Sequence, residues 1–108
     1  MTKEKALLKA NKSAFYVFDI QTLRERIAYL KAALPAETEL CYAVKANTFI
    51  VPNIKDMVSR LEICSPGEAL ICEKAEVPEE KMVISGVYKD PAVMEDMIKQ
   101  FDGRIYTV

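Results

Sequence analysis

The sequence has no histidine, no tryptophan and only three cysteines among its 108 residues. Without histidine, the Ser-His and Cys-His pairs that activate many enzyme nucleophiles are excluded. A zinc site would also lack a common ligand, and Cys41, Cys64 and Cys72 form no C-x-x-C pair. We therefore expect no metal site, and we interpret the cysteines as small hydrophobic residues of a protein in the reducing cytoplasm.

The sequence also lacks an excess of charge of either sign and any long hydrophobic run. Lys and Arg number 15 against 16 Asp and Glu, so we expect no nucleic-acid partner and no membrane-surface binding. The apolar runs are short and interrupted by charge, which predicts neither a transmembrane helix nor a signal peptide. With 51% hydrophobic residues, the chain 1–108 is predicted to form one domain with a core. Its chemistry would have to come from lysine, carboxylates, tyrosine or a cofactor.

Short apolar segments alternate with helical patterns along the chain. The strand candidates begin 21, 21 and 22 residues apart, at 40–44, 61–64, 82–85 and 104–108. Such alternation predicts an α/β fold of β/α units, with parallel strands joined by right-handed crossovers. An open doubly wound sheet and part of a (β/α)₈ (TIM) barrel both fit. Because a complete barrel takes about 250 residues and eight strands, we expect either a small four-stranded domain or the first half of a truncated barrel.

Turn and capping residues mark the predicted helices. Residues 2–11 suggest a short polar helix, and residues 15–18 an aromatic strand. Asp19 is the predicted N-cap of a helix that ends before Pro35. Three further helices are predicted to start at Pro52, at Pro66 and after Asp90, and Gly103 stops the last. The residues expected to face inward on the predicted helices are Ile20, Leu23, Ile27, Leu30, Leu34, Ile54, Met57, Val58, Ala69, Leu70, Cys72, Val93, Met94, Met97, Ile98 and Phe101.

Polar residues follow the predicted strands at their carboxyl ends, where parallel α/β folds place their reactive groups. Lys45 follows the first strand, Glu62 lies within the second, and Ser85 ends the third. A half-buried Lys45 would lose its proton more readily, and a neutral amine can form a Schiff base with an aldehyde. The alternative is a lysine that merely reaches water from a strand end.

The other polar residues of this group also allow two interpretations. Glu62 either faces Lys45 and maintains the charge state of the lysine, or is a carboxylate with no catalytic role. The segment 65–68 could be only a turn that starts a helix. We interpret Tyr88 and Lys89 as solvent-exposed loop residues.

Four segments resemble one enzyme family in order and spacing: "FYVFD", "CYAVKAN", "CSPGEAL" and "VISGVYK". They are similar to the N-terminal part of the fold-type III pyridoxal-phosphate decarboxylases, which act on diaminopimelate, ornithine or arginine and have an alanine-racemase-like barrel. "YAVKAN" is the most specific of these segments. The resemblance runs from about Phe15 to the end of the chain.

The resemblance implies what four residues of this chain would do or match. Lys45 would hold pyridoxal 5′-phosphate as an internal aldimine, and the cofactor would act as electron sink for the decarboxylation of an amino-acid substrate. Ala43 would lie beneath the cofactor on the same strand. Glu62 stands where the family usually has Asp, near the lysine, and Glu68 matches a family glutamate at the barrel mouth.

The resemblance also implies that further parts are needed. In the family, a histidine stacked on the cofactor, a glycine-rich phosphate loop and an acid at the pyridine nitrogen come from later barrel strands. Residues 15–18 would pair with a C-terminal β-domain. We therefore expect the 108-residue chain alone to be inactive. The alternative is a non-catalytic α/β module that self-associates or binds a partner, and in either case the exposed strand edges predict a homo-oligomer.

Overall fold

The computed structural model describes residues 2–9, 14–86, 90–100 and 103–107. These residues form five α-helices and four β-strands in the order α1, α2, β1, α3, β2, α4, β3, α5, β4. The helices are α1 Lys3–Lys9, α2 Ile20–Ala33, α3 Val51–Ile54, α4 Pro66–Lys74 and α5 Pro91–Gln100. The strands are β1 Cys41–Ala43, β2 Arg60–Ile63, β3 Met82–Ile84 and β4 Ile105–Tyr106.

The four strands form one parallel sheet in the order β1-β2-β3-β4. The predicted α/β class, with parallel strands and intervening helices, is therefore confirmed. Strands β1, β3 and β4 are shorter than predicted, and β2 has the predicted length but begins one residue earlier, at Arg60. Val44 was assigned to the first strand but lies in a 3₁₀ turn, because the chain bends directly after Ala43.

The core lies on one face of the sheet. Leu61 and Ile63 of β2 and Met82 and Ile84 of β3 are buried, and they share a cluster with buried residues of α3, α4 and α5. The alternate strand residues point to the other face, which is only partly covered: Cys41, Ala43, Arg60, Glu62, Val83 and Ile105. The helices thus pack against one face and leave the other open.

The capping predictions hold at the helix starts. Asp19 Oδ1 accepts a hydrogen bond from the backbone N–H of Thr22 at 3.2 Å, and Asp90 Oδ1 accepts from Ala92 and Val93 at 3.0 and 3.2 Å. A carboxylate at this position satisfies backbone donors that have no partner within the helix. The sequence therefore located the first turns of α2 and α5 correctly.

Some inward positions were predicted wrongly. Leu70 of α4 and Ile98 of α5 are each 52% exposed. The buried residues of these two helices are Ala69, Cys72 and Met97. Helix α2 has no buried residue, although its Leu23 and Ile27 pack against the core. Phe101 lies outside the described residues.

Residues 15–18 form neither a strand nor a helix in this structure. Their side chains are exposed, Tyr16 completely so. A strand requires a hydrogen-bonded neighbour, and no described segment pairs with these residues. Whether they pair with a further domain, as the resemblance implies, remains a prediction.

Membrane crossing can be assessed from the described helices. None of them combines the length and the hydrophobicity that a bilayer span requires.

Helix α4 ends in a Schellman motif that places a glutamate where glycine is preferred. The N–H of Val77 donates to the Cys72 carbonyl at 3.0 Å, and the N–H of Glu76 donates to the Glu73 carbonyl at 3.0 Å. Glu76 has a φ of 59°, in the left-handed region that a Cβ atom disfavours.

We expect Glu76→Gly to raise the free energy of unfolding by about 0.5–1 kcal/mol, because glycine has no Cβ to strain at this φ. Urea denaturation monitored by circular dichroism measures the change. Glu76→Ala is the matched control, since it also removes the carboxylate but keeps the Cβ. An equal gain in both variants would refute the strain explanation.

Candidate active site

Lys45 lies in the 3₁₀ turn Val44–Ala46, directly after β1. Tyr42 of β1 donates its hydroxyl to the backbone carbonyl of Asn47 at 2.8 Å. The side-chain oxygen of Asn47 accepts from the N–H of Phe49 at 3.0 Å. These two bonds anchor the chain just after the turn, so Tyr42 and Asn47 fix the backbone that carries Lys45.

The Lys45 side chain is exposed, as in the alternative of a lysine that reaches water from a strand end, and is not half-buried. It borders a surface cavity of about 720 Å³, whose other lining residues are Tyr16, Ala46, Asn47, Thr48 and Phe49. Small-molecule sites commonly have volumes of about 300–1,000 Å³. The amine thus has room beside it for a ligand of cofactor size.

Glu62 lies next to Ala43 in the register of β1 and β2. Its carboxylate is on the open face of the sheet, one residue before the end of β2. Ser85 donates its hydroxyl to Glu62 Oε1 at 2.8 Å, and Cys64 donates its thiol to the same oxygen at 3.2 Å. Lys45 interacts with this carboxylate electrostatically. The structure therefore brings Lys45, Ala43 and Glu62 to one end of the sheet.

The pKa of Glu62 is lowered from its ordinary value. The hydrogen bond from Ser85 is the largest cause, followed by that from Cys64, and the Lys45 ammonium adds to both while burial opposes them. A carboxylate whose pKa is lowered by folding stabilises the folded state at pH values above its unfolded-state pKa. This stabilisation is lost as the pH falls through the folded-state pKa. Glu62 is therefore ionised near neutral pH.

The three cysteines are free thiols in three different environments. Cys72 is fully buried in the core, and burial raises its pKa to about 11, as expected for a small hydrophobic residue. Burial and the neighbouring Glu62 raise the pKa of Cys64, so its thiol stays protonated and can donate. Cys41 is exposed, and the prediction of a hydrophobic role is wrong there.

Glu68 helps to cap the first turn of helix α4. Ser65 Oγ accepts from the Glu68 N–H at 3.2 Å and donates to Glu68 Oε2 at 3.0 Å, while Glu68 Oε1 accepts from the Cys64 N–H at 3.3 Å. This reciprocal capping arrangement starts α4. It agrees with the interpretation of the segment 65–68 as a turn that begins a helix.

Gly86 allows the end of β3 to approach β2 closely. Its φ is +84°, and a Cβ atom built on it would lie 3.2 Å from the Cβ of Cys64.

We expect Gly86→Ala to lower the free energy of unfolding by about 2 kcal/mol, since it adds both strain and a close contact. Chemical denaturation measures the effect. Gly103→Ala is the control, because nothing lies within 4 Å of the added atom there; equal losses would contradict this explanation.

Sequence reasoning located the lysine, the carboxylate and Ser85 at one end of the sheet but missed two contributions. Cys64 was interpreted only as a hydrophobic residue, although the period-two alternation from Glu62 places both side chains on the same face. The Tyr42–Asn47 bond joins a strand to an irregular turn, and no spacing signals it. Residues Tyr88 and Lys89 lie outside the described residues.

Among the curated proteins that are similar to most of this chain, two illustrate the match. One is the diaminopimelate decarboxylase of Aquifex aeolicus, 30% identical over 96 residues, which are 87% of this chain and 23% of that protein. Another is the diaminopimelate decarboxylase of Helicobacter pylori strain J99, 30% identical over 96 residues, 86% of this chain and 24% of that protein. The chain thus spans about a quarter of the length of these relatives.

The chain matches the N-terminal part of a fold-type III pyridoxal-phosphate decarboxylase, and the predicted resemblance is confirmed. Within that class, the matched relatives named above are diaminopimelate decarboxylases. No protein-family model matches the chain. No solved structure matches it significantly.

Proposed function

We propose that this chain is the N-terminal half-barrel segment of a pyridoxal-phosphate-dependent amino-acid decarboxylase of the diaminopimelate decarboxylase kind. The observation that carries the proposal is an unobstructed lysine, Lys45, at the carboxyl end of β1, electrostatically coupled to Glu62. The similarity of 86–87% of the chain to diaminopimelate decarboxylases supports it.

Lys45 is the proposed attachment point for the cofactor, because its amine borders an open cavity and forms no hydrogen bond or salt bridge with the other described residues. Glu62 stabilises positive charge on the attached nitrogen. Ala43 has a methyl side chain on the face that carries Glu62, so it leaves space above the strand. When bound, pyridoxal phosphate supplies the electron sink for loss of the substrate carboxylate as CO₂.

The open face of the sheet supports the half-barrel part of the proposal. Helices cover one face only, and the other carries a mixture of small, charged and branched residues. In a closed barrel this face would turn inward, with further strands beside β1 and β4. Because the relatives are about four times as long as the matched region, we expect decarboxylation to need groups from their remaining length.

Reductive trapping tests the attachment. The chain is incubated with pyridoxal phosphate, reduced with borohydride and digested, and the modified lysine is identified by mass spectrometry. We expect modification at Lys45 to exceed that at the exposed Lys31 and Lys74, which report the background. Equal modification of the three lysines would remove the basis of the proposal.

We also propose that the chain self-associates. Strands β1 and β4 each have only one neighbour in the described sheet, and unpaired strand edges favour pairing with another chain. Phe15, Val17 and Phe18 are exposed as well. Sedimentation velocity at micromolar concentration should therefore show a dimer or larger species, and a single monomer peak would contradict this.

A further inference from the structure

Ser85 donates the shortest hydrogen bond that Glu62 receives. The Oγ–Oε1 distance is 2.8 Å, and Cys64 donates to the same oxygen at 3.2 Å. Among the residues that the structure describes, none donates to the second oxygen, Oε2. One oxygen of the carboxylate is therefore held by two donors, and the other remains available on the open face.

The Ser85 hydroxyl is carried by a well-anchored backbone. The Ser85 N–H donates to the carbonyl of Ile63 at 2.9 Å, which continues the pairing of β3 with β2 by one residue. On the other side, the Thr107 N–H donates to the Ile84 carbonyl at 2.9 Å. Gly86 then lets the chain turn against Cys64. The backbone that carries the hydroxyl is thus held by strands on both sides.

We propose that Ser85 is a positioning residue for the chemistry of Lys45, because its hydroxyl holds the Glu62 carboxylate ionised and in one orientation beside the lysine. The inference rests on the proposed function, since it assigns Ser85 a part in cofactor attachment. Ser85 acts through Glu62 and needs no contact with the cofactor. The residue that follows β3 thereby contributes to a site whose lysine follows β1 and whose carboxylate lies in β2.

The charged and titratable groups around Glu62 come from β1 and the turn after it, from the residue that follows β2, and from the first turn of α4. Lys45 is the cation that lowers the pKa of Glu62. Cys41 and Cys64 are thiols whose pKa values are raised, first by burial and further by Glu62. Glu68 adds negative charge near Cys64. From the residue that follows β3 the described contribution is the neutral Ser85 hydroxyl, so removing it changes the environment of Glu62 without adding or removing a charge.

The first experiment measures the ionisation of Glu62 in the chain without cofactor. Carbon-13 NMR of labelled glutamate side chains gives the pKa of Glu62, and Glu62→Gln assigns its signal. We expect Ser85→Ala to raise this pKa toward the ordinary value, and Ser85→Thr, which keeps the hydroxyl, to leave it low. Ser59→Ala is the matched control, because Ser59 is exposed and its side chain makes no hydrogen bond to a described residue. An unchanged Glu62 pKa in Ser85→Ala overturns the inference.

The second experiment measures attachment at Lys45 by absorbance and reductive trapping across a range of pH. Ionised Glu62 favours the attached state. If the pKa of Glu62 is higher, the carboxylate becomes protonated at a higher pH as the pH is lowered, and attachment therefore begins to weaken at a higher pH. We expect Ser85→Ala to leave attachment near pH 7 close to that of the parent chain and to weaken it about twofold near pH 4, with Ser85→Thr and Ser59→Ala close to the parent chain at both pH values. A loss that is equal at all pH values indicates a merely structural effect and contradicts the inference.

The two experiments separate failure of this inference from failure of the proposed function. If Lys45 of the parent chain captures no cofactor, the proposed function and the positioning role both fall, whatever Glu62 does. If capture is normal and Ser85→Ala changes neither the Glu62 pKa nor the pH profile, only the positioning role falls. If Ser85→Ala does not fold, Ser85→Cys, with a weaker donor of similar size, is measured instead and should give a smaller shift in the same direction.

Discussion

Replacement of Lys45 by arginine is expected to lower covalent capture of pyridoxal phosphate at this position by about a hundredfold or more relative to the parent chain. An arginine stays protonated and delocalised, so it cannot supply the free electron pair that attacks an aldehyde. It keeps the positive charge, however, and the pKa of Glu62 should stay low. Borohydride trapping followed by peptide mapping measures the capture, and NMR titration measures the Glu62 pKa.

Two further variants make this prediction specific. Lys31→Arg changes an exposed lysine in the last turn of α2 and should leave capture intact. Lys45→Met removes the charge as well as the amine, and should raise the pKa of Glu62 while also abolishing capture. Trapping that persists in Lys45→Arg at the level of the parent chain would show that another lysine holds the cofactor.

Truncation of Leu61 to alanine should lower the free energy of unfolding by about 3 kcal/mol, because it leaves a cavity in the centre of the sheet. Leu61 is 0% exposed and lies between Tyr42 of β1 and Met82 of β3 in the strand register. The loss is a large part of the stability of a domain of this size. Urea denaturation followed by circular dichroism gives the value.

Leu70 provides the matched control for Leu61. It is the same residue type on the neighbouring helix α4, but its side chain is 52% exposed. Leu70→Ala should therefore cost about 1 kcal/mol or less, since little surface is buried and no closed cavity forms. Equal losses at the two positions would mean that the face assigned to the core is wrong.

The features of the fold that depend on local chemistry were predictable from sequence. Asp19 and Asp90 sit where helices need side-chain acceptors, and the structure uses both in this way. The alternation of strands and helices likewise predicted that the strands are parallel, but it left the order of the strands open. Leu70 and Ile98 were predicted wrongly, because hydrophobic spacing shows that a face is apolar but not how much neighbouring structure covers it.

The composition of the candidate site was predictable, but its internal contacts were not. The position of Lys45 and Ser85 at strand ends follows from parallel topology. The bond from Ser85 to Glu62 depends on the register between β2 and β3, which a single sequence does not specify at the level of one hydroxyl. The exposure of Lys45 depends on what surrounds the open face, and no local pattern encodes it.

The open face of the sheet makes the coupling between Lys45 and Glu62 sensitive to ionic strength. Both groups are within reach of mobile ions, and at about 0.1 M salt charges are screened over about 10 Å. Added salt should therefore weaken the part of the Glu62 interaction that comes from Lys45, and leave the part donated by the neutral Ser85 hydroxyl nearly intact. Any partner that covered this face would exclude those ions and make the same two charges attract each other more strongly.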